Sequence, residues 1–87
     1  MIARVWSARA TAANAARYRE HFAAHVLPAL RRLDGYAGGT LLVRTAGEEV
    51  EVTVVTRWRS LEAIPLLREW DRRVRHYEIS LHDEIER

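Results

Sequence analysis

Across residues 51–59, EVTVVTRWR, Val52, Val54, Thr56 and Trp58 fall on one side, and Glu51, Thr53, Val55, Arg57 and Arg59 on the other. Successive side chains of an extended strand point to opposite faces, and β-branched residues favour that geometry. The stretch therefore predicts a strand with one core face and one amphipathic face that has another surface against it. Ser60 then suits a helix cap, its hydroxyl accepting a backbone N–H of the first turn.

Residues 2–10 alternate more weakly and predict a first strand, with Ala3, Val5 and Ser7 opposite Ile2, Arg4 and Trp6. Thr11 suits the cap of an alanine-rich helix. Along that helix Ala15, Tyr18, Phe22, Val26, Leu30 and Leu33 recur at three- and four-residue steps, giving one apolar stripe. Pro28 removes a backbone donor and disfavours helical geometry at Leu27, which predicts a kink or break. Asp34 and Gly35 end the helix, with Gly35 in the left-handed cap position. Residues 40–45 form a second strand, and the turn at 46–49 makes it an antiparallel hairpin with the third. Residues 61–72 predict a second helix burying Leu61, Ile64, Leu67 and Trp70, its first turns weakened by Pro65. Residues 74–81 alternate again and supply the fourth strand, with Tyr77, Ile79 and Leu81 on its apolar side.

The order β-α-β-β-α-β predicts an α+β, ferredoxin-like domain spanning residues 1–87, an antiparallel four-stranded sheet with two helices on one face. Its reverse face would carry Arg4, Trp6, Leu42, Val55 and Arg57, too apolar a set to leave in water. A homodimer with sheets packed face to face is the expected solution.

Composition narrows the picture. A chain of 87 residues buries roughly 60–65% of its unfolded surface, and without cysteine it has neither disulfides nor thiolate metal ligands. The opening MIARVWSARA places Arg4 and Arg9 inside its apolar run, unlike a signal-peptide core, and nothing is apolar enough to span a bilayer. The expectation is a soluble, cytoplasmic protein. Charge is nearly balanced, 14 basic residues against 12 acidic, and every basic one is arginine. Arg68, Arg72, Arg73 and Arg75 cluster, but Glu69 and Asp71 interleave with them. That reads as a solvated face and not a nucleic-acid groove.

Candidate chemistry gathers near the end of the chain. His76 and Glu78 share a face of the fourth strand, and a carboxylate beside an imidazole can fix its tautomer and make it a general base. Trp58, Tyr77 and Phe22 could line a cavity beside that base, with Trp6 as a further aromatic and Arg57 or Arg4 supplying positive charge. Strand parity also permits a structural role, in which His76 and Glu78 join Arg4, Trp6 and Arg57 in a hydrogen-bonded dimer interface. His21 and His25 sit one helical turn apart, but no third ligand accompanies them, so they read as a surface pair and no metal is expected.

The motifs MIARVW, VVTRWRSLEAI and VRHYEI, with their spacing, resemble the antibiotic-biosynthesis-monooxygenase-like (ABM) domains of the dimeric α+β barrel superfamily. The resemblance implies a dimeric α+β barrel with a cleft between sheet and helices. Some members oxidise aromatic polyketides with dioxygen and neither metal nor flavin; a related branch binds and degrades haem. Trp58 matches the family's strand-end tryptophan. The segment between Trp58 and the last strand is shorter than the family's, no histidine matches the haem ligand there, and Trp6 or Ser7 stands where the haem branch has asparagine. What the resemblance implies is thus a small homodimeric monooxygenase-like protein, oxidising an aromatic or polyketide-type substrate without cofactor. Its partners would be itself, a small aromatic molecule and dioxygen, with no nucleic acid and no membrane. A non-catalytic dimeric ligand-binding or accessory domain is the alternative, and haem binding a third.

Overall fold

The computed structural model describes residues 1–65 and 73–85. Four strands, β1 (Ile2–Ala10), β2 (Tyr36–Ala46), β3 (Glu49–Trp58) and β4 (Val74–Glu78), form one antiparallel sheet in the order β2-β3-β1-β4. A helical segment of three parts connects β1 to β2: α1 (Ala12–His21), a π-turn (Phe22–Val26) and α2 (Leu27–Arg31). Thr11 caps α1, its hydroxyl accepting from the Asn14 amide at 3.2 Å. The helix does not break at Pro28. It passes through the wider π-turn just upstream and continues, with proline in the opening turn of α2 where its missing N–H matters least.

Gly35 leaves the helix at a φ of 89°, and its carbonyl accepts from the Arg59 amide at 2.9 Å, tying the helix exit to the end of β3. The β2–β3 hairpin turns on Gly47 and Glu48, with the glycine at φ 68°, the residue a two-residue turn of this hand needs at its first position. A bulge between Tyr36 and Gly38 interrupts the hairpin near its other end. A Cβ at Gly38 would collide with the Arg57 guanidinium.

The register Ile2↔Trp58, Arg4↔Thr56, Trp6↔Val54 puts these residues on one face with the β3 core set. Val52, Val54, Thr56 and Trp58 are buried there, and the helical segment contributes Ala15 and Phe22. The opposite face carries Val5, Ser7, Thr40, Leu42, Arg44, Thr53, Val55, Arg57, Arg75 and Tyr77.

Several expectations are corrected. Among the described residues the domain is a small α+β fold with an open four-stranded antiparallel sheet and one helical segment of about twenty residues, not the two-helix ferredoxin-like unit of a dimeric α+β barrel. Each end of the sheet, β2 and β4, has one neighbour only, so the sheet is open. The second helix is reduced, over the described residues, to a single 3₁₀ turn at Leu61–Ala63. Ser60 makes no capping hydrogen bond, and Ile64 is already extended at φ −76°, ψ 118°. The cause is Pro65, which disfavours helical geometry in the residue before it. The remainder of that expected helix, including Leu67 and Trp70, and the arginines Arg68 and Arg72 lie outside the described residues.

The reverse face is also less apolar than expected, because Arg4 and Trp6 belong to the helix side; of the five residues named, only Leu42, Val55 and Arg57 lie on it. Finally, β4 turns the other way. Val74, His76 and Glu78 stand beside Trp6, Arg4 and Ile2 on the helix side, while Tyr77 points outward and is 53% exposed. The strand stops at Glu78, leaving Ile79 and Leu81 beyond it, so the apolar alternation that favoured Tyr77, Ile79 and Leu81 has no sheet to act on.

Candidate functional site

Between the helical segment and the sheet lies a cavity of about 190 Å³. Its floor is Arg4 and Trp6 of β1 with Val54, Thr56 and Trp58 of β3. The wall is one line of helix residues, Tyr18, Phe22, Val26 and Leu30, and Ile64 and Pro65 close one end. The 3₁₀ turn and extended Ile64 thus place an apolar plug where a longer helix was expected.

The aromatic groups are locked against one another. Trp6 and Tyr18 pack with centroids 5.5 Å apart, and Tyr18 and Phe22 follow at 6.1 Å. Trp58, only 2% exposed, meets Tyr36 edge-on at 5.3 Å. Its indole N–H donates to the Thr56 hydroxyl at 2.9 Å, which satisfies both buried polar groups without a water. Such a pair leaves the floor apolar towards a ligand.

Among the described residues lining the cavity, Arg4 is the only one with a charged side chain. Its influence reaches Tyr18: burial pushes the Tyr18 phenol above its ordinary value, and the Arg4 charge pulls it partly back. A cation on an otherwise apolar lining attracts an anionic or acidic oxygen placed beside it.

His76 stands next to Arg4 across the β1–β4 ladder. Its Nε2 is buried and has no hydrogen-bond partner among the described residues, an unusual condition for a buried polar atom. No hydrogen bond joins it to Glu78, which is exposed. The expected imidazole–carboxylate pair is therefore not assembled. Neither residue lines the cavity directly.

Of the residues singled out from sequence, Trp58, Phe22, Trp6 and Arg4 meet at this cavity, whereas Tyr77 and Arg57 lie on the reverse face. Arg57 instead passes over Gly38 at the bulge. Tyr18, Val26 and Leu30 were legible as an apolar stripe but not as a cavity wall. Thr56 carried no such signal, because its role depends on the Trp58 indole two residues away. His21 and His25 stack at 5.3 Å on the exposed side of the helix, and no group of three metal-ligating residues occurs among the described residues. No helix among the described residues is long and apolar enough to cross a membrane.

No protein-family model matches this chain, and no curated protein matches it. The ABM and monooxygenase resemblance thus rests on its three short motifs alone, without the barrel that would accompany it.

Proposed function

We propose that the domain binds a small aromatic molecule bearing an acidic oxygen (a phenol, enol or carboxylate) in the cavity between helix and sheet. The observation that carries this reading is the placement of Arg4 as the sole charged lining residue among those described, between the aromatic walls of Trp6, Tyr18 and Phe22. An apolar cavity of roughly 150 Å³ takes up benzene, so about 190 Å³ suits one ring with modest substituents. A polycyclic ligand would have to protrude. Tryptophan fluorescence titration with benzoate and with its neutral isostere benzamide tests the reading. Benzoate should bind more tightly, and Arg4→Met should remove at least about tenfold of that affinity, as loss of a charge-assisted hydrogen bond does. Equal binding of the two compounds, or no binding of either, overturns it.

Pairing of two copies through the reverse face is a separate proposal, supported by Val5, Leu42 and Val55; a monomer in sedimentation at micromolar concentration would end it.

A further inference from the structure

The cavity wall repeats every fourth residue, Tyr18, Phe22, Val26 and Leu30, and an ordinary α-helix does not keep such a line. At 3.6 residues per turn each four-residue step overshoots by about 40°, so three steps wind about 120° around the axis. The middle step, Phe22 to Val26, lies wholly within the π-turn. A π-turn bonds across five residues, and the Leu27 amide indeed donates to the Phe22 carbonyl. It has more than four residues per turn, so its four-residue step undershoots and cancels part of the winding. The π-turn is what brings Val26 and Leu30 back over the cavity.

Pro28 supplies the cause. It has no N–H to offer the Ala24 carbonyl four residues back or the Ala23 carbonyl five back, and its ring would collide with the former in a regular helix. Widening the preceding turn relieves that collision. Ala23 and Ala24 are exposed, so water can serve the carbonyls left without a donor. Pro28 itself is exposed and does not line the cavity.

We propose that Pro28 is a positioning residue that, through the π-turn, sets the length of the ligand the cavity accepts. The preferred class is an aromatic acid carrying an apolar extension that runs along Val26 and Leu30. The ligand chemistry rests on the binding reading above; the geometric claim does not. The probes are benzoate and 4-propylbenzoate, titrated against the wild-type chain and against Pro28→Ala and Pro28→Gln, both of which restore an amide at an exposed position. Wild type should favour the propyl compound by at least about tenfold, given roughly 0.8 kcal/mol for each methylene buried. Both variants should lose that preference while keeping benzoate affinity within about twofold, because Arg4, Trp6 and Tyr18 precede the turn. A merely structural role would weaken both ligands alike. Crystal structures of the variants should show the Leu27 amide on the Ala23 carbonyl, the α-helical partner. An unchanged preference, or a Leu27 amide still bonded to Phe22, overturns the proposal. Should wild type bind neither compound, the binding reading fails and the crystal structures alone decide the role of Pro28.

Discussion

The two faces of β3 carry residues from the same ten-residue strand yet solve opposite problems. On the helix side Val52, Val54, Thr56 and Trp58 are each at most 4% exposed, and the one hydroxyl among them is occupied by an indole N–H. On the reverse side the neighbours Thr53, Val55 and Arg57 are only half-buried. Polar partners there are paired across the ladder. Ser7 and Thr53 share a hydroxyl hydrogen bond at 2.9 Å, and Arg44 bridges to Glu51 at 3.3 Å. The dry face holds the domain together and encloses the cavity. The reverse face carries two matched polar pairs and stays partly exposed in the single chain.

The sharpest way to break this contrast is Trp58→Ala. Truncating a buried tryptophan costs about 3–5 kcal/mol, comparable with the whole stability of about 5 kcal/mol at the low end for small domains, so the variant should be largely unfolded in a thermal melt by circular dichroism. A melt within a few degrees of wild type would mean that the cavity floor is not the core.

Next in size is a matched pair. Val54→Thr places a hydroxyl on the dry face and should lower stability by about 1–3 kcal/mol, read from the urea midpoint. Val55→Thr, one residue away on the reverse face, should stay within about 0.5 kcal/mol. Equal losses would show that the reverse face is covered in solution.

Alkaline pH separates the faces by charge. Burial raises the phenols of both Tyr18 and Tyr36, whereas an unfolded tyrosine titrates near about pH 10. Between those points the unfolded chain gives up protons first, so stability is intact below about pH 10 and falls as pH climbs through the folded values. Tyr18→Phe should lessen the fall in urea midpoint between about pH 9 and about pH 11, and Arg4→Met should push the Tyr18 titration higher still by removing the charge that lowers it. An Arg4→Met titration that moves downward would contradict the geometry of the cavity. The smallest effect belongs to the exposed Arg44–Glu51 bridge, where Glu51→Gln should cost less than about 1 kcal/mol and vanish at high salt.

These contrasts also show how far the chain is readable. Alternation along β3 and the stripe from Ala15 to Leu30 are repeated many times, and each repeat votes for the same face, so the buried sets are legible from residue order alone. A five-residue edge strand has too few votes: in β4 the apolar Tyr77, Ile79 and Leu81 outweigh Val74, so alternation alone points to the wrong face. Leu81 is 89% exposed. The candidate site was half legible for a related reason. Aromatic residues announce themselves by type, but Arg4 enters the cavity only because β1 pairs Arg4 with Thr56 and not with a neighbour one step along. A shift of one residue would have turned it to the reverse face.

What the order of residues determined by itself is local: where strands alternate, where Thr11 starts a helix, where Gly47 turns a hairpin, and that Pro28 disturbs the helix. Tertiary structure decided the rest. Register chose the faces of β1 and β4, Pro65 and the extended Ile64 replaced a helix turn with a plug, and the need to keep Pro28 inside a continuous helix produced the π-turn that aligns the cavity wall. The physical reason is that propensity and periodicity act over a few neighbouring residues, whereas a cavity is defined by groups that meet only after distant segments have packed.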